Sequence, residues 1–179
     1  DMGHVRRWLE SRVKGKKVLN LFAYTCAFSV AALSHGAQRV VNVDMSKNAL
    51  DWGKENHILN NLDLKNVKML SHNIFKSWSK IKQLGRYDII IIDPPTNQRG
   101  SFNAEKGYGQ MLKRIPGFAF PGATVIACLN SPFLDREFLV NQMARWCPSC
   151  RFLEQLDPHP DFPDSFPGRG LKVLVFRYE

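Results

Sequence analysis

The chain has 179 residues, 25 of them Lys or Arg and 16 Asp or Glu, for a formal net charge of +9. Hydrophobic residues make up 44%, which excludes a disordered chain, and four cysteines are too few for a disulfide scaffold. The first 17 residues carry six Lys/Arg and no apolar core, and no unbroken apolar run reaches the ~20 residues of a membrane span, so neither a signal peptide nor a membrane partner is expected. These bounds predict one soluble, cytoplasmic domain over 1–179, basic enough to favour a polyanionic partner.

Apolar and helical runs alternate along the chain. Residues 17–22 predict a buried strand, and 26–34 a helix, with Gly36 where a helix end favours a left-handed residue. A second strand is expected over 39–43, ending in Asp44. Ser46 has the side chain of an N-cap, for a helix reaching about residue 60. Residues 67–70 predict a third strand and 74–84 a basic amphipathic helix. Residues 87–92 contain four consecutive Ile, as suits a strand covered on both faces. A polar loop (94–107), a short helix (108–115) stopped by Pro116, a strand (123–128) and a helix (135–146) follow. Strands over 152–156 and 171–176 are joined by a Pro-rich stretch with no helical pattern. Two strands joined without a crossover are most easily antiparallel. The prediction is an α/β, doubly wound, mostly parallel seven-stranded sheet with a terminal antiparallel hairpin, the Rossmann-like architecture of class I methyltransferases.

Ligands of such sheets sit beyond the carboxyl ends of the strands. The first strand is followed by a loop, 20–28, that opens a helix and lacks the G-x-G-x-x-G glycines of a pyrophosphate site. The second is followed by Asp44, whose carboxylate can accept two ribose hydroxyls. The third leads to Asn73, Ile74 and Phe75, able to meet an adenine edge and face. The fourth leads to Asp93-Pro94-Pro95. A ribose and adenine beside a group less anionic than pyrophosphate fits S-adenosylmethionine.

Val18-Leu-Asn-Leu-Phe-Ala-Tyr-Thr-Cys-Ala-Phe28 resembles the N-x-F-x-Y-T-G-G-F loop of bacterial 23S rRNA methyltransferases, namely the cytosine carbon-5 enzyme and the guanine nitrogen-7 half of the fused guanine enzyme. The likeness continues through Val43 to Ser46, Ala49-Leu50, Asn56, Asp93 to Thr96, His159-Pro160 and Phe166-Pro167-Gly168. It implies S-adenosylmethionine held by Asn20, Phe22, Ala23, Tyr24, Thr25, Asp44, Met45, Asn73, Ile74, Phe75 and Asp93, with catalysis at Asp93, Pro94, Pro95 and Asn130. It implies RNA, namely rRNA, as partner and no metal. Several positions depart from the family. Cys26-Ala27 replaces Gly-Gly, which narrows the room beside the cofactor. The usual Asp is Asn73, and an aromatic is replaced by Asn97. The resemblance implies that the family's N-terminal RNA-binding portion is missing from this chain.

Cytosine carbon-5 needs a thiolate to add to the ring, whereas a guanine nitrogen does not. The resemblance puts Asn130 where the cytosine enzyme has its cysteine; Cys128 lies two residues earlier on the same side of the strand. A guanine nitrogen is therefore the preferred target. A protein or small-molecule acceptor, or an inactive cofactor-binding module, are the alternatives; a dehydrogenase is disfavoured by the missing glycines. Cys147-Pro-Ser-Cys150 has redox spacing, but follows a helix instead of opening one, so a helix-ending turn is the simpler reading. Two basic stretches, Arg6 to Lys17 and Lys65 to Arg86, are candidates for phosphate contact, as are Arg99 and Lys106. His4, His35, His57 and His72 show no paired spacing.

Overall fold

The computed structural model describes residues 2–95, 97–98, 102–157, 161, 166 and 169–179. A helix, α1 (Gly3–Glu10), precedes a run in which β1 (Lys17–Leu21), α2 (Ala27–Ser34), β2 (Arg39–Asp44), α3 (Lys47–Leu59) and β3 (Val67–Ser71) alternate. Then come α4 (Trp78–Gln83), β4 (Tyr87–Ile92), the two-residue strands β5 (Asn97–Gln98) and β6 (Phe102–Asn103), and α5 (Ala104–Leu112). The chain closes with β7 (Ala119–Asn130), α6 (Arg136–Trp146), β8 (Cys150–Leu156) and β9 (Leu171–Tyr178).

The main sheet has seven strands in the order β3-β2-β1-β4-β7-β9-β8. Neighbours are parallel from β3 to β7, and β9 is antiparallel to both β7 and β8, as the sequence predicts. Side chains alternate across it. Leu19, Leu21, Ile90, Ile92, Val125 and Ala127 face a core with Ile81 of α4, Tyr108 of α5 and Leu139 of α6. Val18, Val40, Ile89, Ile91 and Cys128 face the other core, with Val5 and Leu9 of α1 and Phe28 of α2. With both faces covered, the strands read as continuous apolar runs. The switch between β1 and β4 opens a crevice at their carboxyl ends.

Several elements differ from expectation. Helix α1 falls in the segment read as merely basic; Val5 and Leu9, one turn apart, are fully buried beneath it. The single helix expected over 74–84 is two pieces. Asn73 Oδ1 accepts from Phe75 N to cap a 3-10 turn, Ile74–Lys76, and Ser77 Oγ donates to the Asn73 carbonyl, so side chains divert the backbone from a continuous helix. Helix α5 starts at Ala104, four residues before the expected Tyr108, because Asn103 Oδ1 caps it by accepting from Lys106 N. Strand β7 is longer than the expected 123–128 and carries a register shift. Thr96, Arg99, His159-Pro160 and Pro167-Gly168 lie outside the described residues, as does the side chain of Asn97.

Candidate active site

A cleft of about 490 Å³ opens at the carboxyl ends of the parallel strands, lined by Met2, Phe22, Tyr24, Asp44, Ser46, Asp93, Pro94, Pro95, Asn130 and Leu171. Its first wall is the loop after β1. Phe22, Tyr24 and Cys26 adopt left-handed backbone (φ 59°, 46° and 63°), a costly conformation for side-chain-bearing residues that needs outside support. Support comes from Asp44: its Oδ2 accepts from Tyr24 N at 2.9 Å and its Oδ1 from Ser46 N at 2.8 Å. Asn56 of α3 donates to the Thr25 carbonyl at 3.0 Å.

Three further residues expected at the cofactor, Asn20, Ala23 and Thr25, are not among those lining the cleft. Asn20 is 1% exposed and donates to Asn42 Oδ1, its register partner on β2, so the two side chains meet on one face of the sheet. Asn42 donates to Ser29 Oγ, which meets His57 Nε2, and His57 Nδ1 meets the Gly53 carbonyl. This buried chain ties β1, β2, α2 and α3 together, and burial lowers the His57 pKa. Ala23 packs with Cys26 and Leu50, and Thr25 presents its carbonyl to Asn56.

Cys26 does not narrow the cleft as expected. It is fully buried, with its sulfur turned towards α3 and Met69, and burial followed by the charge of Asp44 pushes its thiol up to about 12. Gly53 makes the room: a Cβ there would stand 2.5 Å from Cys26 Sγ.

Asp93 follows β4 at the cleft floor, with Pro94 and Pro95. The register Ile92↔Ala127 sets it beside Cys128. Burial raises its carboxyl to about 6, partly offset by a hydrogen bond from the Cys128 thiol. Cys128 is wholly buried and its thiol pKa lies well above the usual value, through burial and then the adjacent Asp93 charge. Beneath it the buried Tyr108 hydroxyl donates to the Cys128 carbonyl. Asn130, by contrast, lines the cleft.

Asn73 and Phe75 border a separate hollow of about 280 Å³ with Lys76, Asn103, Lys106, Gly107 and Gln110; Ile74 is buried beside them. The Phe75 ring stacks on Phe102 at 6.4 Å between centroids. Met45, beside Asp44, is 46% exposed. Met2, Ser46 and Leu171 complete the main cleft and were not foreseen as site residues; only Ser46, as an N-cap next to Asp44, left a signal in the sequence.

The S-adenosylmethionine-dependent methyltransferase family model matches residues 1–177. The chain belongs to that family. Its members use S-adenosylmethionine as cofactor. Among relatives, the chain is 32% identical over 174 residues to ribosomal RNA large subunit methyltransferase I of Aeromonas hydrophila, covering 89% of this chain and 44% of that protein. It is 39% identical over 121 residues to ribosomal RNA large subunit methyltransferase K/L of a Psychrobacter species, covering 64% of this chain and 15% of that one. The chain therefore spans less than half the length of these relatives. The crystal structure of SMU.776, a methyltransferase complexed with SAH, superposes with a TM-score of 0.90 at 27% identity, covering 99% of this chain and 49% of that one.

The Cys147-Pro-Ser-Cys150 run lies at the end of α6 and the start of β8. Cys147 and Cys150 are buried with sulfurs 3.4 Å apart, in the turn after α6, and Cys150 N donates to the Cys147 carbonyl. Among the described residues no three His, Cys, Asp or Glu are grouped to hold a metal, and no helix is long and apolar enough to cross a membrane.

Proposed function

We propose that this methyltransferase acts on a base of large-subunit ribosomal RNA, at a guanine nitrogen rather than cytosine carbon-5. The names of its relatives support the substrate class. The position of Cys128 carries the choice of atom. Cytosine chemistry requires a thiolate within reach of the base. Here the thiol is fully buried, held protonated and hydrogen-bonded beneath Asp93, while Asn130 is the residue that reaches the cleft.

S-adenosylmethionine, when bound, supplies a methyl group already activated on sulfonium. The residues present fit it: each Asp44 oxygen accepts one main-chain N–H and keeps a lone pair for a ribose hydroxyl. We assign the methionine side to the loop from Phe22 to Tyr24 and the adenine side to Met45 together with Asn73, Ile74 and Phe75 beside the neighbouring hollow. The chain's task is then to orient the acceptor, because alignment supplies much of the acceleration of an in-line displacement. Asp93 and the Pro94 carbonyl hold the amino group of the base, and Asn130 fixes its plane. A carboxyl near 6 is ionised at neutral pH and accepts that hydrogen bond. A ribosomal substrate would put the protein in the cytoplasm.

The test is methyl incorporation into unmodified large-subunit rRNA. Cys128→Ala is expected to retain activity and Asn130→Ala to lose turnover at unchanged cofactor affinity. RNA containing 5-fluorocytosine should leave no covalent adduct; a trapped enzyme, or a folded but dead Cys128→Ala, would assign the cytosine route instead.

A further inference from the structure

Three exposed aromatics belong to segments at the cleft end of the sheet: Phe133 at 92% exposure, Tyr24 at 68% and Phe166 at 65%. Tyr24 lies in the loop after β1 and lines the cleft. Phe133 lies three residues beyond the cleft-lining Asn130, at the carboxyl end of β7. Phe166 precedes β9, whose first residue, Leu171, pairs with Asn130 and also lines the cleft. Since β9 runs against β7, its beginning is at the same end of the sheet.

Single exposed apolar side chains are ordinary. This group differs in being aromatic and in being borne on segments next to the cleft-lining Tyr24, Asn130 and Leu171. Phe133 is also presented on a fixed support. Ser131, 4% exposed, takes a hydrogen bond to its Oγ from Phe133 N at 3.3 Å, and its carbonyl accepts from the buried amine of Lys172 at 2.5 Å. Pro132 between them stiffens the turn further. At Phe166 a cation accompanies the ring, with the Arg169 guanidinium 5.6 Å from its centroid.

We infer that this rim, with Phe133 foremost, is a stacking platform for unpaired nucleotides flanking the target base, so that the chain engages single-stranded RNA. The inference rests on the RNA reading above and adds the form the RNA takes. A base inside a duplex has both faces covered; only an unstacked base offers a face to a fixed ring. Stacking on aromatics tolerates any base, and an adjacent guanidinium suits the phosphate between two of them. The net charge of +9 agrees with that partner.

The experiment measures fluorescence anisotropy of a labelled, mixed-sequence single-stranded oligoribonucleotide of about 12 nucleotides, and of its duplex. Phe133→Ala should weaken single-strand binding about tenfold, from the usual range for one lost base–aromatic stack, and Phe133→Trp should restore it. The duplex should bind more weakly than the single strand. Adenosylhomocysteine affinity, titrated by calorimetry, should be unchanged in Phe133→Ala, which rules out misfolding. Equal affinity of Phe133→Ala and the parent, equal binding of duplex and single strand, or no binding of either would overturn the inference, the first leaving the rim to a protein partner. Absent methyl transfer with these binding results intact would count against the proposed reaction alone.

Discussion

Asp44 has two tasks, and Asp44→Ala removes both. It accepts from Tyr24 N and Ser46 N, so it holds the first loop, and its remaining lone pairs face the cleft. Hydrogen bonds to a charged acceptor contribute ~1.5–3 kcal/mol each, so Asp44→Ala should weaken adenosylhomocysteine binding at least about tenfold by calorimetry. Unchanged affinity would remove Asp44 from the cofactor site. Asp93 raises a question of sign. Its carboxyl is raised from 3.8 to about 6 in the fold, so the fold favours the neutral form. That contribution is complete below pH 3.8, falls as pH rises through the window to about 6, and is lost above it. Asp93→Asn keeps the shape and never ionises, so at pH 7–8 it should be more stable than the parent, by about 1–3 kcal/mol in denaturant titration. Methyl transfer should show the reverse. It should fall in the parent as pH drops through about 6 and be crippled in Asp93→Asn at every pH, since the amide cannot replace the charged acceptor. An Asn variant no more stable than the parent would show that Asp93 is solvated in the cleft.

Between elements, α3 acts as the brace of the loop after β1, through Asn56 on the Thr25 carbonyl and through the space Gly53 leaves for Cys26. Gly53→Ala should displace the loop, destabilise the fold by about 1–3 kcal/mol and weaken cofactor binding. Cys26→Gly relieves the same contact and suits a left-handed position, so the double variant should recover most of the loss in thermal denaturation. Equal losses from Gly53→Ala in both backgrounds would deny the contact. None of this was visible in the sequence, and the reason is physical. The direction of the Cys26 side chain depends on the sign of φ at three loop residues, which tertiary bonds from Asp44 and Asn56 impose. The partner of Asn20 is likewise on the next strand. The strands themselves were legible, because burial on both faces writes them as continuous apolar runs such as Ile89 to Ile92, and the acids that close β2 and β4 mark the crevice. Helix α1 escaped because two buried positions, Val5 and Leu9, are a thin apolar stripe among arginines. The break at Ser77 escaped because Asn73 and Ser77 act on the backbone through their side chains.

Across the whole molecule, the sheet direction sorts the positive charge into two ends. Arg12, Lys14 and Lys16 precede β1 and so lie at the amino ends of the parallel strands, away from the cleft; Lys16 is 3.8 Å from Asp88 and Arg12 sits over the Trp8 ring. Lys65 and Lys68 begin or precede the outer strand β3, and Lys65 pairs with Asp63 at 2.6 Å. Lys76 and Lys106 are placed otherwise. They follow the carboxyl ends of β3 and β4, are exposed, and border the 280 Å³ hollow beside the cleft. Only charges at that end can meet the phosphates of an RNA whose base occupies the cleft. Each phosphate contact to a single strand contributes a slope of about −0.7 to the log of affinity against the log of salt. Replacing both lysines with glutamine should therefore weaken oligoribonucleotide binding and flatten that slope by about 1.4, whereas Arg12→Gln with Lys16→Gln should leave it unchanged. Titrations between low and physiological salt read both values. If the Arg12 and Lys16 pair flattened the slope and the Lys76 and Lys106 pair did not, the RNA would run along the opposite end of the sheet, and the cleft between Asp44 and Asp93 could not hold its target base.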